Sequence, residues 1–153
     1  MDNYQTYTDH LVALGEKLQL GRIVAHGDTD AWEINVDERL TVAAKMTDAG
    51  IVLMATVCDL PRRPDADTLR ALLEYSAEWS VAEGRRFAID PEDGSAMLIG
   101  DVSAVEMADG TLGYALYSFI DELRAARAWL ERSIAAEAAA GLDEIGHENL
   151  IRP

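Results

Sequence analysis

The chain has 153 residues, 49% apolar and 27% charged, and 28 acids against 13 lysines and arginines give it a formal charge of −15. That length suits one domain with a single core. The charge argues against nucleic-acid binding, which needs clustered Lys and Arg to release counterions; the only basic pairs, Arg62-Arg63 and Arg85-Arg86, sit among acids.

No apolar run approaches the roughly eighteen residues of a membrane span. The opening Met1-Asp2-Asn3-Tyr4 lacks the basic start and apolar stretch of a secretion signal. Cys58 is the single cysteine, so no internal disulfide forms, in keeping with a reducing compartment. A cytosolic protein without membrane insertion is expected, with Cys58 as a core or edge residue.

In chain order, Tyr4, Tyr7, Leu11, Leu14 and Leu18 recur every three or four residues and mark one stripe of a helix. Gly21 and Gly27 break that pattern. Trp32, Ile34 and Val36 alternate with Glu33, Asn35 and Asp37, which predicts a half-buried strand. Asp37-Glu38-Arg39 reads as a turn into a second alternating strand carrying Leu40, Val42, Ala44 and Met46. After Asp48-Ala49-Gly50, the unbroken apolar run Ile51 to Val57 predicts a central strand covered on both faces.

Pro61 and Pro64 stop this meander. Asp65 or Asp67 caps a helix ending at Gly84, with Leu69, Leu72, Leu73, Ser76 and Trp79 assigned to one face. Phe87 to Asp90 is a short strand, Pro91 to Gly94 a turn, and Met97 to Val105 a longer strand. Asp109-Gly110 caps a last helix with the stripe Leu112, Leu116, Phe119, Leu123, Ala126 and Leu130, continuing through alanines to Gly141. The expectation is one α+β domain over 1–141, ordered helix, three-stranded antiparallel meander, helix, two strands, helix, with a loosely ordered tail over 142–153.

Chemistry is hard to find in this pattern. His10, His26 and His147 have no partners at recognisable spacing, and no nucleophile elbow, phosphate loop or zinc pair occurs. His26-Gly27-Asp28-Thr29-Asp30 alternates oxygen donors, but its glycine precedes the acids and no closing glutamate follows, unlike a calcium loop. No enzyme, cofactor or metal site is expected.

Several phrases do carry a likeness. They are Leu14-Gly15-Glu16-Lys17-Leu18, Trp32-Glu33-Ile34-Asn35-Val36-Asp37, Ala55 through Pro61, and Leu72-Leu73-Glu74-Tyr75 with Trp79. Gly84 through Asp90 and Phe119-Ile120-Asp121 with Trp129 complete the set. In this order the chain, over roughly Tyr4 to Ile134, resembles the class I type III secretion chaperones of bacteria, the Tir chaperone-like family.

That resemblance implies a cytosolic homodimer that holds the N-terminal segment of one secreted effector in an extended, secretion-competent state, without nucleotide. It implies dimer contacts from the middle helix and later strands, and client contacts from helix grooves and strand addition at a sheet edge. The dimer residues expected are Leu69, Leu72, Leu73, Ser76 and Trp79. Client-binding residues expected are Tyr7, Leu11, Leu14, Leu18, Ile34, Val36 and Val42, with Val12 and Leu20 lying off the main stripe of the first helix. The alternative is an acidic inhibitor, of the immunity-protein kind, that binds a basic folded partner.

Overall fold

The computed structural model describes residues 3–77, 84–108 and 111–148. Helix α1 (Asn3–Lys17) is followed by four strands, β1 (Ile23–His26), β2 (Ala31–Asn35), β3 (Thr41–Thr47) and β4 (Gly50–Cys58). Helix α2 (Ala66–Ala77), strands β5 (Arg86–Ile89) and β6 (Ala96–Ser103), the short α3 (Ala104–Ala108) and the long α4 (Leu112–Glu148) complete the order. The strands form one antiparallel sheet in the order β1-β2-β3-β4-β6-β5.

Local chemistry explains the turns. The Asp37 carboxylate accepts the N–H groups of Arg39 at 2.8 Å and Leu40 at 3.0 Å, closing the β2–β3 turn. Gly50 has φ +145°, and a Cβ there would stand 2.1 Å from the Val102 carbonyl oxygen, so only glycine starts β4 this close to β6. Asp65, rather than Asp67, caps α2, accepting the Thr68 N–H at 2.5 Å.

Alternation decides what the sheet buries. Trp32 and Ile34 of β2, Val42 and Ala44 of β3, Ile51, Leu53, Ala55 and Val57 of β4, and Leu98 and Val102 of β6 point to one face. There they meet Leu11 of α1, Leu72 of α2, and Leu116, Phe119, Leu123 and Leu130 of α4. At the β1 end, the Trp32 indole N–H donates to Thr8 at 2.8 Å and the Tyr4 ring stacks on Trp32. Thus α1, α2 and α4 lie on the same side of the sheet.

The α+β architecture is as expected, and four local expectations change. The meander has a fourth strand, β1, too short between Gly21 and Gly27 to show an alternating pattern, and it ends at His26. Strand β6 stops at Ser103, where the Ser103 hydroxyl and Glu106 carboxylate cap α3, which places Val105 on a helix. Helix α4 passes Gly141 and continues to Glu148, since one glycine costs only about 1 kcal/mol in a helix rich in alanine. Among the described residues, helices cover strand β4 on one face only. The ends expected at Gly84 for the middle helix and at Asp109-Gly110 for the last rest on segments outside the described residues.

Candidate functional site

A sheet of this kind has two edges, and the structure treats them differently. In β5 the antiparallel alternation, continued by the Asp90 N–H bond to the Ser95 carbonyl at 2.9 Å, turns the backbone groups of Phe87 and Ile89 away from β6. The Ser76 hydroxyl of α2 accepts the Phe87 N–H at 2.9 Å and donates to the Leu72 carbonyl at 2.8 Å. Tyr75 packs edge-on against the Phe87 ring at 4.8 Å, and Phe87 lies against Trp129 of α4. Helix α2 therefore covers the β5 edge at Phe87.

The β1 edge is different. The Asn35 N–H bonds to the Arg22 carbonyl at 2.9 Å, so by alternation Val24 and His26 bond to β2 while Ile23 and Ala25 present N–H and C=O outward. No strand lies beyond β1 among the described residues. Beneath it the Ile23 side chain reaches α1 so closely that a Cβ on Gly15 would stand 2.7 Å away. An open edge of this kind is a template for an extended chain, because main-chain pairing tolerates most side chains.

The expected client residues divide sharply. Leu11, Ile34, Val36 and Val42 are at most 7% exposed and belong to the core, so their stripe is spent on folding and presents nothing to a partner. Tyr7, Leu14, Leu18 and Leu20 are half-buried and pack on the margin of that core, around the α1 side of β1. Val12 is 46% exposed, as its place off the main stripe suggests.

The expected dimer residues divide too. Leu72 is 5% exposed and packs inward, whereas Leu73, one residue on, is 71% exposed. Leu69 is half-buried, Ser76 covers the β5 edge, and Trp79 lies outside the described residues. A single face for all five is therefore replaced by an inward side with Leu72 and an outward side with Leu73.

Sequence reasoning missed the outer face of the sheet. Val52 and Met54 of β4, Met97 and Ile99 of β6, and Ala88 of β5 point away from α1, α2 and α4 and adjoin one another, with Met54 opposite Ile99 and Ala88 opposite Met97. All are half-buried by their neighbours in the sheet. The signal was the unbroken apolar run from Ile51, which a strand covered on one face does not require.

Electrostatically the surface is acidic with local pairs. Arg85, 8% exposed, pairs with Glu122, whose carboxyl burial pushes above the ordinary glutamate range. Arg86 pairs with Asp101 at 2.5 Å, and Arg124 with Asp37 at 3.4 Å. Burial, then the nearby Glu131 and Asp59 charges, push the Cys58 thiol up, which disfavours the reactive thiolate. Among the described residues no group of three His, Cys, Asp or Glu is placed to hold a metal, and no helix is long and apolar enough to cross a membrane.

No protein-family model and no curated protein matches the sequence. Solved structures do match the fold. A chain of the HopA1–SchA chaperone–effector complex aligns with a TM-score of 0.64 at 12% identity, over 83% of this chain and 97% of that one. A chain of the ExsC–ExsE complex aligns with a TM-score of 0.68 at 16% identity, over 80% of this chain and 92% of that one. The protein thus has the α+β fold of type III secretion chaperones, an antiparallel sheet with helices packed on one side.

Proposed function

We propose that the protein is a chaperone of type III secretion. It binds the N-terminal segment of a secreted effector as an added strand on β1 and keeps that segment extended, without nucleotide. The observation that carries this reading is the contrast between edges: Ile23 and Ala25 both offer unpaired backbone groups, while Ser76 of α2 occupies the Phe87 donor of β5. The likeness to a chain of a chaperone–effector complex supports it. Tyr7, Val12, Leu14, Leu18 and Leu20 lie along α1 and the turn leading to β1, and supply apolar contacts for client side chains. The charge of −15 draws basic client segments by long-range attraction.

The working unit in this reading is a homodimer. A second copy covers the outer sheet face of Val52, Met54, Met97 and Ile99, with Leu73 of α2 contributing and with Leu69, Leu72 and Ser76 holding α2 in place behind it. Removing such apolar area from water stabilises the pair by about 25 cal/mol per Å² before association costs.

Co-expression with the secreted effectors of the native host, followed by limited proteolysis, tests the function. One effector copurifies, and only its N-terminal segment resists cleavage. A partner that stays folded and is protected throughout contradicts extended binding and favours the inhibitor alternative.

A further inference from the structure

A cleft of about 830 Å³ opens on the helix side of the sheet, between the start of α4 and the ends of β4 and β6. It is remote from β1, with β2 and β3 lying between. Its base is apolar and closed: Ile51 and Leu53 of β4 and Phe119 of α4, each at most 2% exposed, lie there beneath the half-buried Ala115. Gly100 lets the Phe119 ring pack onto β6, since a Cβ there would stand 2.9 Å from that ring. Ala115 keeps the α4 wall low, and Tyr114, 67% exposed, stands at the mouth.

The charges at the mouth do not balance. Arg85 is matched by Glu122 and Arg86 by Asp101. The remaining lining charge is Glu106, whose carboxylate accepts from the Ser103 N–H at 2.8 Å and hydroxyl at 2.7 Å. These bonds hold it below the ordinary glutamate range, so it is anionic at neutral pH. An apolar floor beneath one uncompensated carboxylate and one exposed phenol ring suits an apolar group with a cation beside it, because the ring face also attracts cations. An anionic ligand meets Glu106 and no unmatched lining cation, and a second copy of so acidic a chain is disfavoured at this mouth.

We infer that this cleft seats an aromatic or branched aliphatic side chain of the client, flanked in its sequence by lysine or arginine, as a second anchor distant from the β1 edge. The inference rests on the client-binding reading and specifies the chemistry of the client there. A client that pairs with β1 and also fills the cleft crosses the helix side of the sheet, and gains affinity through the high effective concentration of the second anchor.

The test uses the full chain and three acetylated, amidated tripeptides, Lys-Phe-Lys, Glu-Phe-Glu and Lys-Gly-Lys, followed by methyl NMR. Lys-Phe-Lys is expected to shift the Ile51 and Leu53 methyls saturably, and the other two are not. Ala115→Phe, which fills the cleft, weakens that binding by about tenfold or more, and Tyr114→Ala weakens it by about threefold to tenfold. Absence of saturable shifts, equal shifts with any control peptide, or unchanged affinity in either folded variant overturns the inference. If Ala115→Phe does not fold, Tyr114→Ala decides alone, because its side chain is exposed. Unmoved methyls in a protein that still captures an effector through β1 reject the cleft only. A seated peptide without any effector capture rejects the client reading instead.

Discussion

The Ser76 hydroxyl lies 2.9 Å from the Phe87 backbone nitrogen and accepts its N–H, so a side chain stands where a neighbouring strand would otherwise bond. That contact closes β5 to strand addition at Phe87. Replacing Ser76 by Ala leaves the Phe87 donor under α2 without a partner and lowers stability by about 1–2 kcal/mol. Chemical denaturation measures the loss. The same variant leaves client affinity unchanged, and a large fall in affinity with normal stability would instead place the client at β5.

Neighbouring leucines on α2 separate folding from assembly. Leu72→Ala removes a side chain from the core and costs about 2–4 kcal/mol in denaturant titrations. Leu73→Asp, at a position 71% exposed, leaves the unfolding midpoint of the isolated subunit nearly unchanged and weakens the dimer. Leu72→Asp does not isolate the dimer contact, because its charge lands in the core.

Met54→Glu and Ile99→Glu place carboxylates side by side on the outer sheet face without touching the core. Each is expected to yield a folded monomer, read by light scattering with circular dichroism as the control. A double variant that remains dimeric moves the contact elsewhere.

The Glu137 carboxyl takes the Thr68 hydroxyl at 2.5 Å and neighbours Asp65, the cap of α2. The Asp65 carboxylate holds Glu137 above the ordinary glutamate range, while Asp65 itself is held below its own range, first by Glu137 and then by the Thr68 N–H. A raised acid stabilises the fold while it keeps its proton, so the Glu137 contribution is present at acidic pH and lost as pH rises through its folded value. The depressed Asp65 contributes above the ordinary aspartate value, and that contribution is lost as pH falls through its lowered folded value. Glu137→Gln therefore raises stability at neutral pH and removes the decline that accompanies deprotonation of Glu137, measured as melting temperature against pH. An unchanged profile rejects this pairing.

Much of this architecture is legible in residue patterns. Trp32, Ile34 and Val36 announce β2 by alternation, and Leu116, Phe119, Leu123 and Leu130 announce the buried face of α4. Strand β1 is not legible, because four residues between glycines carry no countable period and gain their identity from pairing with β2. The binding surfaces are least legible. A stripe such as Leu11 or a strand residue such as Ile34 reads the same whether the cover is the chain's own helix or a partner, and here the chain covers both. Val12 could be singled out only because it departs from the stripe that folding needs. Met54 and Ile99 became candidates only after the sheet showed which face carries no helix among the described residues.

The most direct measurement concerns Ala25, whose N–H points out from β1 and serves no bond to β2. Ala25→Pro deletes that donor at an edge, where proline is tolerated, and Ala25→Ser is the matched control. Isothermal titration with the protected effector segment is expected to show a loss of about tenfold or more for the proline variant and near-normal binding for serine. Full affinity in a folded Ala25→Pro protein would contradict strand addition at β1 and remove the basis of the proposed function.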